Sequence, residues 1–147
     1  MAYCTAQDML ERFGERELRD CAELSEEDAI DGAVIQTAIA DASAEMDAHL
    51  GRRYRVPIAR RTPLLVLLAC QIARYRLLDG REHEQAVRRY EEAITLLKAL
   101  AEGKLTLGLP ADELVDAPLT AGAAAVQSEP HPFNAEVKAA FEGRLLR

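Results

Sequence analysis

Thr62-Pro63-Leu64-Leu65-Val66-Leu67-Leu68-Ala69-Cys70 is the stretch that decides the fold of this chain. A threonine hydroxyl can accept a free N–H at a helix start, and proline one position later loses nothing by having no N–H of its own. The seven residues from Leu64 to Cys70 are then apolar without interruption. That is far short of the about 20 needed to cross a bilayer. It is also too long and too free of polar residues for a helix with one wet face. A helix of this kind is buried on most sides, so the remaining elements must pack around it. The helix is expected to run from Pro63 to Leu78, where Asp79-Gly80 closes it. Its later turns, Arg74-Tyr75-Arg76, are expected to reach solvent or a partner.

Flanking segments supply the packing partners. On the N-terminal side Ile35, Ile39, Ala42, Met46 and Leu50 recur at spacings of 4, 3, 4 and 4, one face of a helix that Gly51 ends. On the C-terminal side Val87, Tyr90, Ile94, Leu97 and Ala101 mark a helix from about Glu82 to Glu102, stopped by Gly103. Nearer the start, Thr5 with Asp8 forms a capping signature for a short helix bearing Met9, Leu10 and Phe13, with Gly14 as its stop. Ser25 with Asp28 repeats that signature, but Asp31-Gly32 follows so soon that only a turn or two is expected.

The expected fold class is therefore all-α: a small bundle of about four helices over residues 1–109. Leu105, Leu107 and Leu109 alternate with polar or small residues, as in a short strand or extended arm. Residues 110–132 hold four prolines and an alanine-rich run, which is linker composition. Asn134 can cap a final short helix in which Phe133, Val137, Phe141, Leu145 and Leu146 supply an apolar stripe. Such a short helix is marginal alone in water, so the stripe needs a surface, on its own domain or on a neighbour.

Of the 147 residues, 49% are hydrophobic, enough to bury a core and to set aside disorder along most of the chain. The net charge of −7 argues against coating nucleic acid as the main role. Charge is unevenly placed, however. Residues 1–50 hold thirteen acids and three bases, while residues 51–90 hold ten bases and three acids. Arg52, Arg53, Arg55, Arg60 and Arg61 fall within ten residues that contain no acid. Either these arginines pair with the acidic first third of their own chain, or they face phosphate or the acidic third of another copy. A subunit with one acidic and one basic face suits head-to-tail contacts that close into a ring.

Chemical motifs are sparse. His49, His83 and His131 have no second ligand at zinc spacing, and His83 between two glutamates reads as a solvated helix start. Cys70 reads as a core residue, and Cys4 and Cys21 have no partner signal; three scattered cysteines suit a reducing compartment. Asp41, Glu45 and Asp47 could suggest paired carboxylates, but the first two, one turn apart, read as a solvated face rather than a catalytic pair. Neither a secretory leader nor a membrane span is expected. No catalytic residue, cofactor or metal is expected either, and the chain is not read as an enzyme.

Three segments carry a resemblance: Met1–Gly14, Ala38–Tyr54 and Leu68–Gly80. In order and content they resemble the Mu-type phage and prophage proteins, once catalogued as a family of unknown function and similar to head–tail connector (adaptor) proteins of tailed phages. The resemblance covers about residues 1–109 and brings no catalytic residues. It implies a structural virion protein of the neck, made in the bacterial host cytoplasm and forming a ring of about twelve copies. Its implied partners are further copies of itself, the portal, a downstream neck or tail-completion protein, and DNA that slides through the channel without specific binding. The five arginines and the C-terminal apolar stripe would then be interface residues. Two alternatives stand beside this: a nucleic-acid-binding accessory protein using the arginine loop, and a prophage module that binds a host protein through its C-terminal helix.

Overall fold

The computed structural model describes residues 1–115, which form one compact unit, Met1–Val115. The helix expected from Phe133 onward, and most of the linker expected over 110–132, lie outside the described residues. Within them the protein is all-helical: α1 (Ala6–Phe13), α2 (Glu15–Ala22), α3 (Ala33–Leu50), α4 (Pro63–Leu78) and α5 (Glu84–Ala101), followed by a short 3-10 turn at Ala111–Glu113.

The central role read for α4 holds. Thr62 Oγ1 accepts from Leu65 N at 3.3 Å, Pro63 opens the helix, and α4 touches each of the other four helices. Leu65, Leu68 and Ile72 are almost completely buried, each worth about 1.5–3 kcal/mol of apolar burial. All five residues of the expected α3 stripe are buried as well. In α5 the buried face is Ala86, Ala93, Leu97 and Leu100, turned slightly from the expected stripe. Tyr90 and Ile94 flank that face, while Val87 is exposed. Small alanines let α5 lie close to its neighbours, so the larger side chains fall to either side of the contact line.

One helix was not read from the sequence. Gly14, at φ +82, ends α1 and immediately precedes α2, a backbone angle that a side chain would strain. Only Leu18, Cys21 and Ala22 of α2 are buried, and its end at Glu23 is left-handed without glycine. The segment after it makes the expected turn or two: Ser25 N and Oγ both donate to Asp28 Oδ2 at 2.8 Å, and Gly32 N donates to Ala29 O at 3.1 Å.

The long connection between α3 and α4 is pinned at several points. Tyr54 and Ile58 are buried. Tyr54 forms an isolated antiparallel bridge with Leu114, made by Arg55 N to Glu113 O at 2.8 Å and Val115 N to Arg53 O at 2.9 Å. Tyr3 OH donates to Asp47 Oδ1 and accepts from Ile58 N at 3.0 Å, tying the N-terminus, α3 and this loop together. Residues 106–110 form no strand, Gly108 turns the backbone at φ +66, and Leu107 and Leu109 pack on the core.

Candidate interaction surface

The arginine loop follows the C-terminal end of α3, where Gly51 breaks the helix. Its five arginines do not share one environment. Arg61 reaches back to Asp8 at 2.5 Å. Arg53 is half-buried over the Tyr54 ring, and its guanidinium lies where a Cβ at Gly103 would stand. Gly103 is at φ +78, so its lack of a side chain serves both the backbone turn and the space for Arg53. Arg55 is exposed at its side chain while its N–H joins the bridge. Arg52 and Arg60 are exposed and make no hydrogen bond or ion pair among the described residues; Arg52 feels the Glu102 carboxylate at longer range.

Further along, the basic middle segment pairs with the acidic first third. Arg74 pairs with Glu17, Arg76 with Glu45 at 2.7 Å and Arg81 with Glu23 at 3.4 Å. Arg74, expected to face solvent or a partner, is instead 5% exposed beneath the Phe13 ring, 4.9 Å from its centroid. Tyr75 stacks on Tyr90 with ring centroids 3.9 Å apart, so the end of α4 is spent on α2, α3 and α5. The uneven charge of the sequence is thus partly answered within the chain.

Glu45 is the main departure from the solvated-face reading. It is partly buried and accepts from Tyr90 OH at 2.6 Å as well as from Arg76. Burial pushes its carboxyl up, but the hydrogen bonds from Tyr90 and Arg76 outweigh that and hold it below the ordinary value. Tyr90 in turn is pushed up to about 12, by burial and then by its bond to Glu45. His83, read as part of a solvated start, caps α5: Ala86 N donates to its Nδ1 at 3.2 Å. Cys4 also has a neighbour the sequence did not signal, since Cys70 together with burial pushes its thiol up. All three cysteines are buried free thiols.

An open groove of about 680 Å³ runs beside α2, lined by Phe13, Glu17, Cys21, Leu78 and His83 among others. Two of its charges pair with residues outside the lining, Glu17 with Arg74 and Arg81 with Glu23, and no group of three or more His, Cys, Asp or Glu side chains among the described residues could hold a metal. No described helix is long and apolar enough to cross a membrane. The other expected interface residues, Phe133, Val137, Phe141, Leu145 and Leu146, lie outside the described residues.

Comparison with known proteins gives this surface its context. The family model described as Bacteriophage Mu, Gp36 matches residues 3–127. The chain is 35% identical over 111 residues to the Mu-like prophage FluMu protein gp36 of Haemophilus influenzae, covering 76% of this chain and 79% of that one. It is also 28% identical over 139 residues to Gene product J of Escherichia phage Mu, covering 94% of this chain and 98% of that one. With most of its helical unit inside that match, the chain belongs to the Bacteriophage Mu Gp36 family.

Proposed function

We propose that this chain is a structural virion protein, a head–tail connector that forms a ring between the portal and the tail and surrounds the DNA channel. Membership of the Mu Gp36 family carries the reading, since it places the chain among phage and prophage proteins. The separation of the exposed Arg52 and Arg60 from the acidic segment before α3 supports it, because a ring subunit needs two unlike faces. Net negative charge suits a channel through which DNA must slide, where tight phosphate binding would be a fault. The apolar stripe of Phe133, Val137, Phe141, Leu145 and Leu146 would dock on the portal, as tethered helices dock in grooves.

Phage lacking the chain should accumulate DNA-filled heads and separate tails; joined particles would contradict the proposal. Removing residues 130–147 should leave the melting temperature of the subunit unchanged while abolishing attachment to portal. Normal portal binding by the truncated chain would remove the stripe from the interface. The nucleic-acid reading rests on the exposed Arg52 and Arg60, and a salt titration separates it from the connector reading. A phosphate binder loses affinity steeply with added salt, whereas a connector has little DNA affinity at any salt.

A further inference from the structure

We propose that Arg52 and Arg60 of one copy meet Glu26, Glu27 and Asp31 of a second copy of this chain, so that the ring contact is electrostatic and head-to-tail. The setting of this contact rests on the connector reading above. The two sets of charges lie at opposite ends of one rod. Asp31 immediately precedes Gly32, the N-cap of α3, Glu26 and Glu27 sit in the Ser25–Asp28 turn just before it, and Arg52 follows the C-cap, Gly51. Ile58 N bonds to the Tyr3 hydroxyl, which itself holds Asp47 in the last turn of α3, so the loop bearing Arg60 belongs to the same end. Eighteen helical residues separate the ends, a span of about 27 Å. Charges that far apart are screened from each other at ordinary salt, where the Debye length is about 10 Å. The two sets cannot neutralise one another within a chain.

Both ends are held in place. Arg19 Nη1 donates to Ser25 O at 2.7 Å and to Asp28 O at 2.8 Å, and Asp28 is engaged by Ser25. That cation is used on backbone carbonyls and on Glu15, which leaves the exposed Glu26, Glu27 and Asp31 without a hydrogen bond or ion pair among the described residues. At the other end the Tyr54–Leu114 bridge and the buried Ile58 fix the loop. A rigid acidic turn and a rigid basic loop lose little freedom on meeting, which favours a specific contact. The α3 macrodipole gives these charges a local role, but that effect fades within one turn of a helix end. In sequence, Glu26 and Glu27 precede the first residue of α3 by seven and six positions, and Arg60 follows its last by ten.

Two variants test the contact: R52E with R60E, and E26K with E27K and D31K. All five positions are exposed, and unchanged helical circular dichroism will show that each variant folds. In sedimentation velocity at low salt, wild type should self-associate, and added salt should reverse it. Each variant alone should associate about tenfold or more weakly, because like charges then face each other. An equimolar mixture should restore association, since every contact in an alternating assembly is again between opposite charges. A wild type that stays monomeric at low salt overturns the proposal. So does association that survives either set of reversals, or a mixture that fails to recover it. The connector reading fails separately: restored pairing in a protein absent from the virion neck keeps the contact and removes the connector.

Discussion

Arg61 lies 2.5 Å from Asp8, and through this pair the arginine loop is fastened to the first turn of α1. The same carboxylate accepts from Thr5 N at 2.7 Å and Thr5 Oγ1 at 2.8 Å, so one side chain caps a helix and anchors a loop. D8N keeps the shape but loses the charge, and should destabilise by about 1 kcal/mol. Burial pushes the Asp8 carboxyl up, yet bonds from Thr5 and Arg61 bring it below the ordinary 3.8. The folded state therefore holds this proton less tightly than the unfolded chain. Its stabilisation is complete above about pH 4 and is lost as pH falls further through the folded pKa. Thermal melts from neutral to acid pH check this: D8N should start lower and lose less on acidification than wild type.

The Glu45–Tyr90 bond works at the other extreme of pH. Tyr90, ordinarily at 10.0, is pushed up to about 12 because its neutral hydroxyl is partly buried and donates to Glu45. A raised pKa favours the protonated form in the fold. The contribution is present below pH 10 and disappears as pH rises from there through about 12. Y90F should destabilise by about 1 kcal/mol at neutral pH. Melting temperatures followed into alkali should fall less for Y90F than for wild type. An equal fall would mean that this hydroxyl is not the group being titrated.

Leu68, in the middle of α4, is 1% exposed. L68D would bury an unpaired charge among four neighbouring helices and should cost several kcal/mol. A thermal melt or denaturant titration measures it directly. A variant that melts within a degree or two of wild type would mean that α4 is not the centre of the core.

How far the fold was legible in the sequence depended on the range of the signal. Thr62-Pro63, the Thr5–Asp8 box and the α3 stripe are local, and each marks an element found in the structure. Helix α2 is local too, but it offers only three buried residues in eight, no side-chain cap and no glycine at its end. Gly14 reads as a stop and gives no sign that a second helix follows at once. Glu45 was misread because its partners, Arg76 and Tyr90, lie 31 and 45 residues away. The Tyr54–Leu114 bridge is a single long-range pair with no periodicity to betray it. For the candidate surface, five clustered arginines were plain in the sequence. Their division into Arg61 and Arg53, held by their own chain, and Arg52 and Arg60, exposed without an ion pair among the described residues, was not, because it depends on Asp8 and Gly103 in distant elements.

The most direct test of the connector assignment is cryo-electron microscopy of the virion neck with this chain located in the density. A ring of copies seated between portal and tail is expected, its α4 helices surrounded by their own subunit's helices and its arginine loops directed at neighbouring copies. Complete particles whose neck density contains no copy of this chain would contradict the assignment outright.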